Sequence, residues 1–355
     1  MGYAPFARGP FPTGVRTTTL TDASRGGRRL PLEVWYPAAD AHAGHDTVDP
    51  TRDRYEMLPG LPSVSQDAVR DAASRAGRWP LVLFSHGYGG HRRQSTFLCT
   101  HLASHGYVVA SVDHVGNTVF EVMHAIMTAQ MGGARSDPQA TLREFIVARP
   151  ADTVFMLDEV LRGAGDVAAQ IDADRIGMAG HSFGGWTTLV TTARDRRIRA
   201  ALPLAPAGGA THLDANALVD AMDLRFGREV PTLFIAADQD SLLPLAGIRD
   251  LYERTPAPKR LVVLENSDHL HFMDRIEENH ELFRSMPQDD LFRPAIERMR
   301  PMAELTSEAH ANTAVRGLGL AHMDAVLKGN EAAARFLAED AGAALATQGI
   351  HVSLS

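Results

Sequence analysis

Cysteine is almost absent from this chain of 355 residues: Cys99 is the only one. An internal disulfide framework is therefore excluded, and the fold has to be held by its core. No apolar run reaches the roughly 20 residues that a membrane-spanning helix needs. The opening MGYAPFARGPFPTG lacks the apolar core of a signal peptide, so a cytoplasmic protein without a membrane span is expected. Positive charge is also in deficit, with 35 Lys and Arg against 43 Asp and Glu and a net charge of −8. That balance argues against a nucleic-acid partner, because phosphate binding requires clustered cations. The short arginine groups, Arg25 with Arg28 and Arg29 and Arg194 with Arg196, Arg197 and Arg199, are expected to be solvated surface charge. Histidine is plentiful at 16 residues, yet no metal pattern is present. Neither the group Asp268, His269, His271 and Asp274 nor the pair His42 and His45 matches a known ligand spacing, and neither metal nor cofactor is expected.

With 45% hydrophobic residues, the chain has material for a sizeable core. Strand-like segments near residues 15–20 and 29–36 open the chain, and others recur near 81–85, 107–112, 175–180, 199–204, 231–236 and 260–264. Helical stretches lie between the later ones, near 91–105, 150–162, 183–193 and 242–253. Alternation of this kind predicts an α/β fold with a mostly parallel sheet covered on both faces. Residues 1–355 are read as one domain carrying a cap-like insertion at 114–147 and a second helical insertion at 273–303. A C-terminal helical stretch from about Glu304 to Leu337 is expected to cover the sheet.

Residues 180–185 read GHSFGG and follow the strand-like DRIGMA. Gly180, Ser182 and Gly184 thus form a G-x-S-x-G pattern where a strand turns into a helix, the context of a nucleophile elbow. A serine hydroxyl is a weak nucleophile until a base takes its proton, so an acid and a base are sought downstream in that order. PTLFIAADQDSLLP, from Pro231, is an apolar strand ending in two aspartates; LVVLENSDHLHF, from Leu261, is another ending in two histidines. In open α/β sheets, function gathers at such strand ends. Asp240 is preferred as the acid because it lies just beyond its strand, with Asp238, closer to the apolar run, as the alternative. His269 is preferred as the base over His271, which adjoins Phe272. WPLVLFSHGYGG, from Trp79, is a buried strand running into a histidine-glycine turn. It offers the Tyr88 amide as one oxyanion donor, and the Phe183 amide, just after the serine at a helix start, offers the other. His86 and His181 are expected to hold their loops by hydrogen bonding.

Taken together, LEVWYP (32–37), VLFSHGYGG (82–90), LASHGYVVASVDHVGNT (102–118), RPAD (149–152), GHSFGG and SDHLHF (267–272) resemble the α/β-hydrolase superfamily. Within it, the likeness is to bacterial proteins related to dienelactone hydrolase and to platelet-activating-factor acetylhydrolase. The resemblance covers most of the chain and implies the α/β-hydrolase fold, Ser182 as nucleophile and Asp240 and His269 as its partners. It also implies the amides of Tyr88 and Phe183 as oxyanion donors. Dienelactone hydrolases carry cysteine at the elbow, whereas here Cys99 is far from it. A dehalogenase, which needs a carboxylate at the elbow, is excluded by Ser182.

The expected activity is hydrolysis of small to medium carboxylic esters through an acyl-enzyme. An amidase or a lipase with the same triad, or a ligand-binding protein that kept the fold, are the alternatives. Substrate contact is expected from Met123 and Met127, whose flexible thioethers suit varied acyl chains, and from Trp186. The only partner expected is a small-molecule ester.

Overall fold

The computed structural model describes residues 2–57, 63–132, 137–209, 216–285 and 293–355. Met286, Leu291 and Phe292 of the second insertion lie outside the described residues. Contacts divide the chain into two compact units, residues 8–176, and residues 1–7 with 177–355.

In the unit of residues 8–176, β1 (Thr13–Asp22) and β2 (Arg28–Pro37) form an antiparallel pair. Three short strands follow in the polar, proline-containing stretch before Gly77: β3 (Asp53–Tyr55) and β4 (Val64–Gln66), which pair with each other, and β5 (Val69–Arg70), parallel to β1. Strands β6 (Trp79–Ser85) and β7 (Val108–Val112) run parallel, and β7 lies antiparallel to β2. The strand order is β6-β7-β2-β1-β5. All five residues of β7 are buried, and so is β6 from Pro80 on. The continuous apolar run WPLVLFS, rather than an alternating one, signals this burial on both faces. Helix α1 (Thr96–Ser104) contacts β7, and so does the long α3 (Pro138–Arg162). Helix α2 (Val119–Gln130) occupies much of the 114–147 stretch, and α3 begins within it. Asp137 starts α3 by accepting from the Gln139 amide at 2.9 Å, with Pro138 at the first helical position, where a missing N–H costs nothing.

The RPAD segment sits inside α3 and is buried. The Arg149 guanidinium, fully buried, donates to the His86 carbonyl. Asp152, also fully buried, accepts from Arg25 Nη1 at 2.6 Å, from Arg28 at 2.8 Å and from His114 Nδ1 at 3.1 Å. His114 in turn accepts the Ser85 hydroxyl through Nε2 at 2.9 Å. Burial, with Arg149 nearby, pushes His114 down to about 4, so the ring is neutral at pH 7. Arg25 and Arg28 are therefore not solvated surface charge as expected from sequence. They hold a buried carboxylate, and a buried ion must be paired.

In the other unit, the strand order is β8-β9-β10-β11-β12, where β8 is Ile171–His181, of which residues from Gly177 on belong to this unit, β9 Ile198–Leu204, β10 Thr232–Ala237, β11 Lys259–Leu264 and β12 Val352–Leu354. β9, β10 and β11 are parallel, and β12 adds an antiparallel edge to β11. Helix α4 (Phe183–Arg194) contacts β9, and α5 (Asn216–Asp220) and α6 (Leu245–Arg254) follow, α6 burying Gly247, Ile248 and Leu251. The second insertion contains α7 (Ile276–Ser285) and α8 (Arg293–Ile296). Helix α9 (Glu308–Leu327), capped by Ser307, packs on β9 and β10 as the sequence predicts, and α10 (Glu331–Arg335) and α11 (Ala341–Ala346) complete the unit.

Candidate active site

Because β8, β10 and β11 leave their strands at the carboxyl end, the segments after them deliver side chains to one edge. After β8 comes Ser182, with φ 58° and ψ −118°, followed at once by Phe183 at the first position of α4. A positive φ is strained in a residue with a Cβ, and such strain concentrates at functional sites. The turn is pinned on both sides: the Ser182 amide donates to Leu204 O at 2.9 Å, and its carbonyl accepts from Ala207 N at 3.0 Å. Gly185 is required by close approach, since a Cβ there would lie 2.8 Å from Pro206.

Asp240 and His269 are both buried and meet directly, with His269 Nδ1 2.8 Å from Asp240 Oδ2. The other oxygen of Asp240 is occupied, accepting from the amides of Leu242 at 3.0 Å and Leu243 at 2.7 Å. Asp238 does not reach the imidazole and instead accepts the Ser267 amide at 3.2 Å. His271 is likewise engaged elsewhere, with Nδ1 2.9 Å from the Asp268 amide and Nε2 2.9 Å from Thr306 O. Burial pushes the His269 imidazolium down, but the Asp240 carboxylate outweighs it, with Asp268 adding to the effect, and holds His269 above its ordinary value.

The serine turn reaches the same place through the residue before it. His181 Nε2 lies 2.9 Å from the His269 carbonyl, the rings of His181 and His269 are 4.7 Å apart between centroids, and Phe272 stacks on His181 at 5.5 Å. Burial, with His269 close by, drives His181 well below its ordinary value, so it is neutral at pH 7 and donates from Nε2 to that carbonyl. Helix α7 packs beside the histidine segment, where His280 meets His271 edge-on at 6.2 Å.

Tyr88 belongs to the other unit, in the turn after β6. Gly90 N–H donates to Gly87 O at 3.2 Å, Gly89 takes φ 63°, and the Gly87 amide donates to Gln94 Oε1 at 2.8 Å. His86 is held there, Nδ1 2.7 Å from Gly87 O and Nε2 accepting the His114 amide at 3.0 Å. Tyr88 itself is 43% exposed, its ring 6.2 Å from that of Phe145 in α3. On α2, Met127 is 54% exposed and Met123 is half-buried. In the same unit, Phe120 of α2 borders a cavity of about 330 Å³ together with Tyr55, Met57, His91, Arg92 and Arg93. Trp186 is fully buried on α4, packed edge-on against Phe183 at 5.4 Å, with its indole N–H donating to Leu218 O at 2.9 Å.

One residue was not singled out from the sequence as part of this site. Asp268, buried between the acid and base segments, accepts from both Ser241 and the His269 amide. Its only sequence signal is its place directly before His269. Among the described residues, no group of three His, Cys, Asp or Glu is arranged to hold a metal ion, and no helix is long and apolar enough to cross a membrane.

Known proteins similar to this chain are ester hydrolases. The family described as platelet-activating factor acetylhydrolase, isoform II, matches residues 6–135. A cutinase of Thermobifida fusca (strain YX) is 28% identical over 255 residues, covering 67% of this chain and 73% of that protein. The platelet-activating factor acetylhydrolase of Bos taurus is 27% identical over 173 residues, 40% of this chain and 38% of its own length. Among solved structures, a ferulic acid esterase from Streptomyces cinnamoneus superposes with a TM-score of 0.62 at 25% identity, covering 91% of this chain and 93% of that one. An esterase neighbour over nearly the whole chain, an acetylhydrolase family match at the N-terminal side and a strained serine turn followed by a buried aspartate-histidine pair lead to one assignment: the chain has the α/β-hydrolase fold, is similar to serine esterases and is a carboxylic ester hydrolase.

Proposed function

We propose that the chain is a single-domain esterase in which Ser182 is the nucleophile, His269 the general base and Asp240 the acid that orients it. The observation that carries this reading is the buried Asp240–His269 pair at 2.8 Å, with His181, the neighbour of Ser182, seated on the His269 carbonyl. Because Nδ1 gives its hydrogen to Asp240, Nε2 carries the lone pair that takes the serine proton. The Ser182 alkoxide attacks the ester carbonyl, and the tetrahedral oxyanion is held by the Phe183 and Tyr88 amides. Each such donor contributes about 3–4 kcal/mol of transition-state stabilisation. The imidazolium protonates the departing alcohol; water, activated by the same ring, then releases the acid. In this cycle Asp240 stays ionised and offsets the charge that appears on His269.

The substrates are carboxylic esters of small to medium size, with Met123 and Met127 as adaptable contacts for the acyl chain. The relatives named as a cutinase, an acetylhydrolase and a ferulic acid esterase support an ester, while their names differ in the group released. A chain-length series of p-nitrophenyl esters, run beside the matching p-nitroanilides on wild type and Ser182→Ala, tests the proposal. Ester turnover in the wild type should exceed anilide turnover at every length, and the variant should lose it by several orders of magnitude. Equal rates for ester and anilide would favour an amidase, and undiminished turnover by Ser182→Ala would remove Ser182 from its role.

A further inference from the structure

We propose that Asp268 is a positioning residue of this esterase: its buried carboxylate ties the segment carrying Asp240 to the segment carrying His269, in the register that lets those two side chains meet. The proposal rests on the reading of Asp240 and His269 as acid and base. Asp268 is 1% exposed. Its Oδ1 accepts from the Ser241 amide at 2.9 Å, from the Ser241 hydroxyl at 3.0 Å and from the His269 amide at 2.5 Å, and Oδ2 lies 3.2 Å from the same hydroxyl. Ser241 directly follows Asp240, and His269 directly follows Asp268. One carboxylate therefore grips the peptide beside each partner of the pair, and the two partners lie 29 residues apart in the chain.

A local cap explains only part of this. Asp268 does begin the short helical turn His269–Phe272, where an aspartate satisfies a free amide. That duty accounts for the bond to His269 and for the return contact from its own amide to His271 Nδ1. It does not call for the two donors of Ser241, which come from the other segment. Two contacts beside it, Gln239 N–H to Ser267 O at 2.9 Å and Ser267 N–H to the Asp238 carboxylate at 3.2 Å, stitch the segments further from the pair. Asp268 makes the stitch nearest to the reacting groups. The His269 main chain is thus held at both ends, its amide by Asp268 and its carbonyl by His181.

The carboxylate also has an electrostatic effect that an uncharged cap lacks. Among the described residues, no arginine or lysine pairs with Asp268. The titratable groups facing His269 are Asp240, Asp268 and His181, with His271 behind Asp268 and His280 beside His271. With His181 neutral, Asp268 is the second negative charge that favours the protonated imidazole.

Three variants separate positioning from capping. Asp268→Ala removes every acceptor, Asp268→Ser keeps a helix cap too short to reach Ser241, and Asp268→Asn keeps an acceptor oxygen but loses the charge. For Ala and Ser, kcat should fall roughly 10- to 100-fold with KM within about threefold, the scale of loss that follows a displacement of about 1 Å between reacting groups. Asn should restore most of kcat, and the acid limb of its kcat/KM profile should move to lower pH. Wild-type kcat in Asp268→Ser, or an unmoved limb in Asp268→Asn, would overturn the proposal. If Asp268→Ala does not fold, Ser241→Ala in the same assay replaces it, expected to lower kcat by a smaller factor than Asp268→Ser. Asp240→Asn run in parallel keeps the two readings distinct: its inactivity beside a fully active Asp268→Ser refutes the positioning role alone, while its full activity refutes the acid assignment itself.

Discussion

Replacing Asp240 by Asn exchanges one carboxylate oxygen for an NH₂ and should nearly abolish turnover, for a reason written in the hydrogen bonds around it. The Oδ1 atom is claimed by the amides of Leu242 and Leu243, at 3.0 and 2.7 Å. Both are donors, so an asparagine has to place its carbonyl oxygen there and turn its NH₂ toward His269. At 2.8 Å that group donates to Nδ1 and drives the imidazole hydrogen onto Nε2. With its hydrogen on Nε2, the ring has no lone pair there to take a proton from Ser182, as the proposed mechanism requires. In a serine triad, a wrong tautomer of this kind costs about 10⁴ in kcat, equivalent to about 5 kcal/mol of barrier. The assay is kcat for p-nitrophenyl butyrate at pH 8, beside a urea unfolding curve showing that the variant remains folded. Asp238→Asn is the control, since its carboxylate meets the Ser267 amide and not the imidazole; it should keep kcat within about threefold, as expected of a group outside the transition-state contacts. A loss below tenfold for Asp240→Asn, or equal losses for the two variants, would refute the tautomer argument.

Three further outcomes follow from the same geometry. The acid limb of kcat/KM should titrate with His269, activity rising with pH as the ring loses its proton, at a midpoint above the usual histidine value near 6.5 because Asp240 holds the proton on; a midpoint below that value would contradict the pairing. Ser182→Gly should be inactive yet more stable than the parent by about 1–2 kcal/mol, because glycine relieves the strain of φ 58°, and urea midpoints measure this. Asp152→Ala should destabilise the protein by about 3–5 kcal/mol, the cost of stranding buried cations and a buried histidine without their acceptor; an unchanged unfolding midpoint would show that the network contributes nothing.

The elements that could be read from the sequence were those whose signal is local. The run WPLVLFS announces a strand buried on both faces, and GHSFGG announces a turn whose geometry only a few residues tolerate. The order of serine, aspartate and histidine could be read because each follows an apolar strand directly. What escaped reading depends on partners distant in sequence. Arg25 and Arg28 look like surface charge until Asp152, more than 120 residues on, is found buried against them. The same holds for RPAD, whose Arg149 grips the carbonyl of His86 from a helix that the sequence pattern begins twelve residues too late. Asp268 escaped because its work is done through Ser241, and nothing in the string SDHLHF names that contact. The short strands β3 to β5 lie in a polar, proline-containing stretch where pairing, rather than apolar periodicity, sets the structure.

In the proposed cycle the Ser182 hydroxyl is the nucleophile that becomes acylated. Treatment with a fluorophosphonate probe, followed by peptide mass spectrometry, tests this most directly, because the probe bonds only to a serine whose proton a neighbouring base removes. A single adduct is expected on the peptide containing Ser182, its formation matched in time to the loss of ester turnover and absent from Ser182→Ala. An adduct on another residue, or complete labelling of Ser182 with turnover intact, would contradict it.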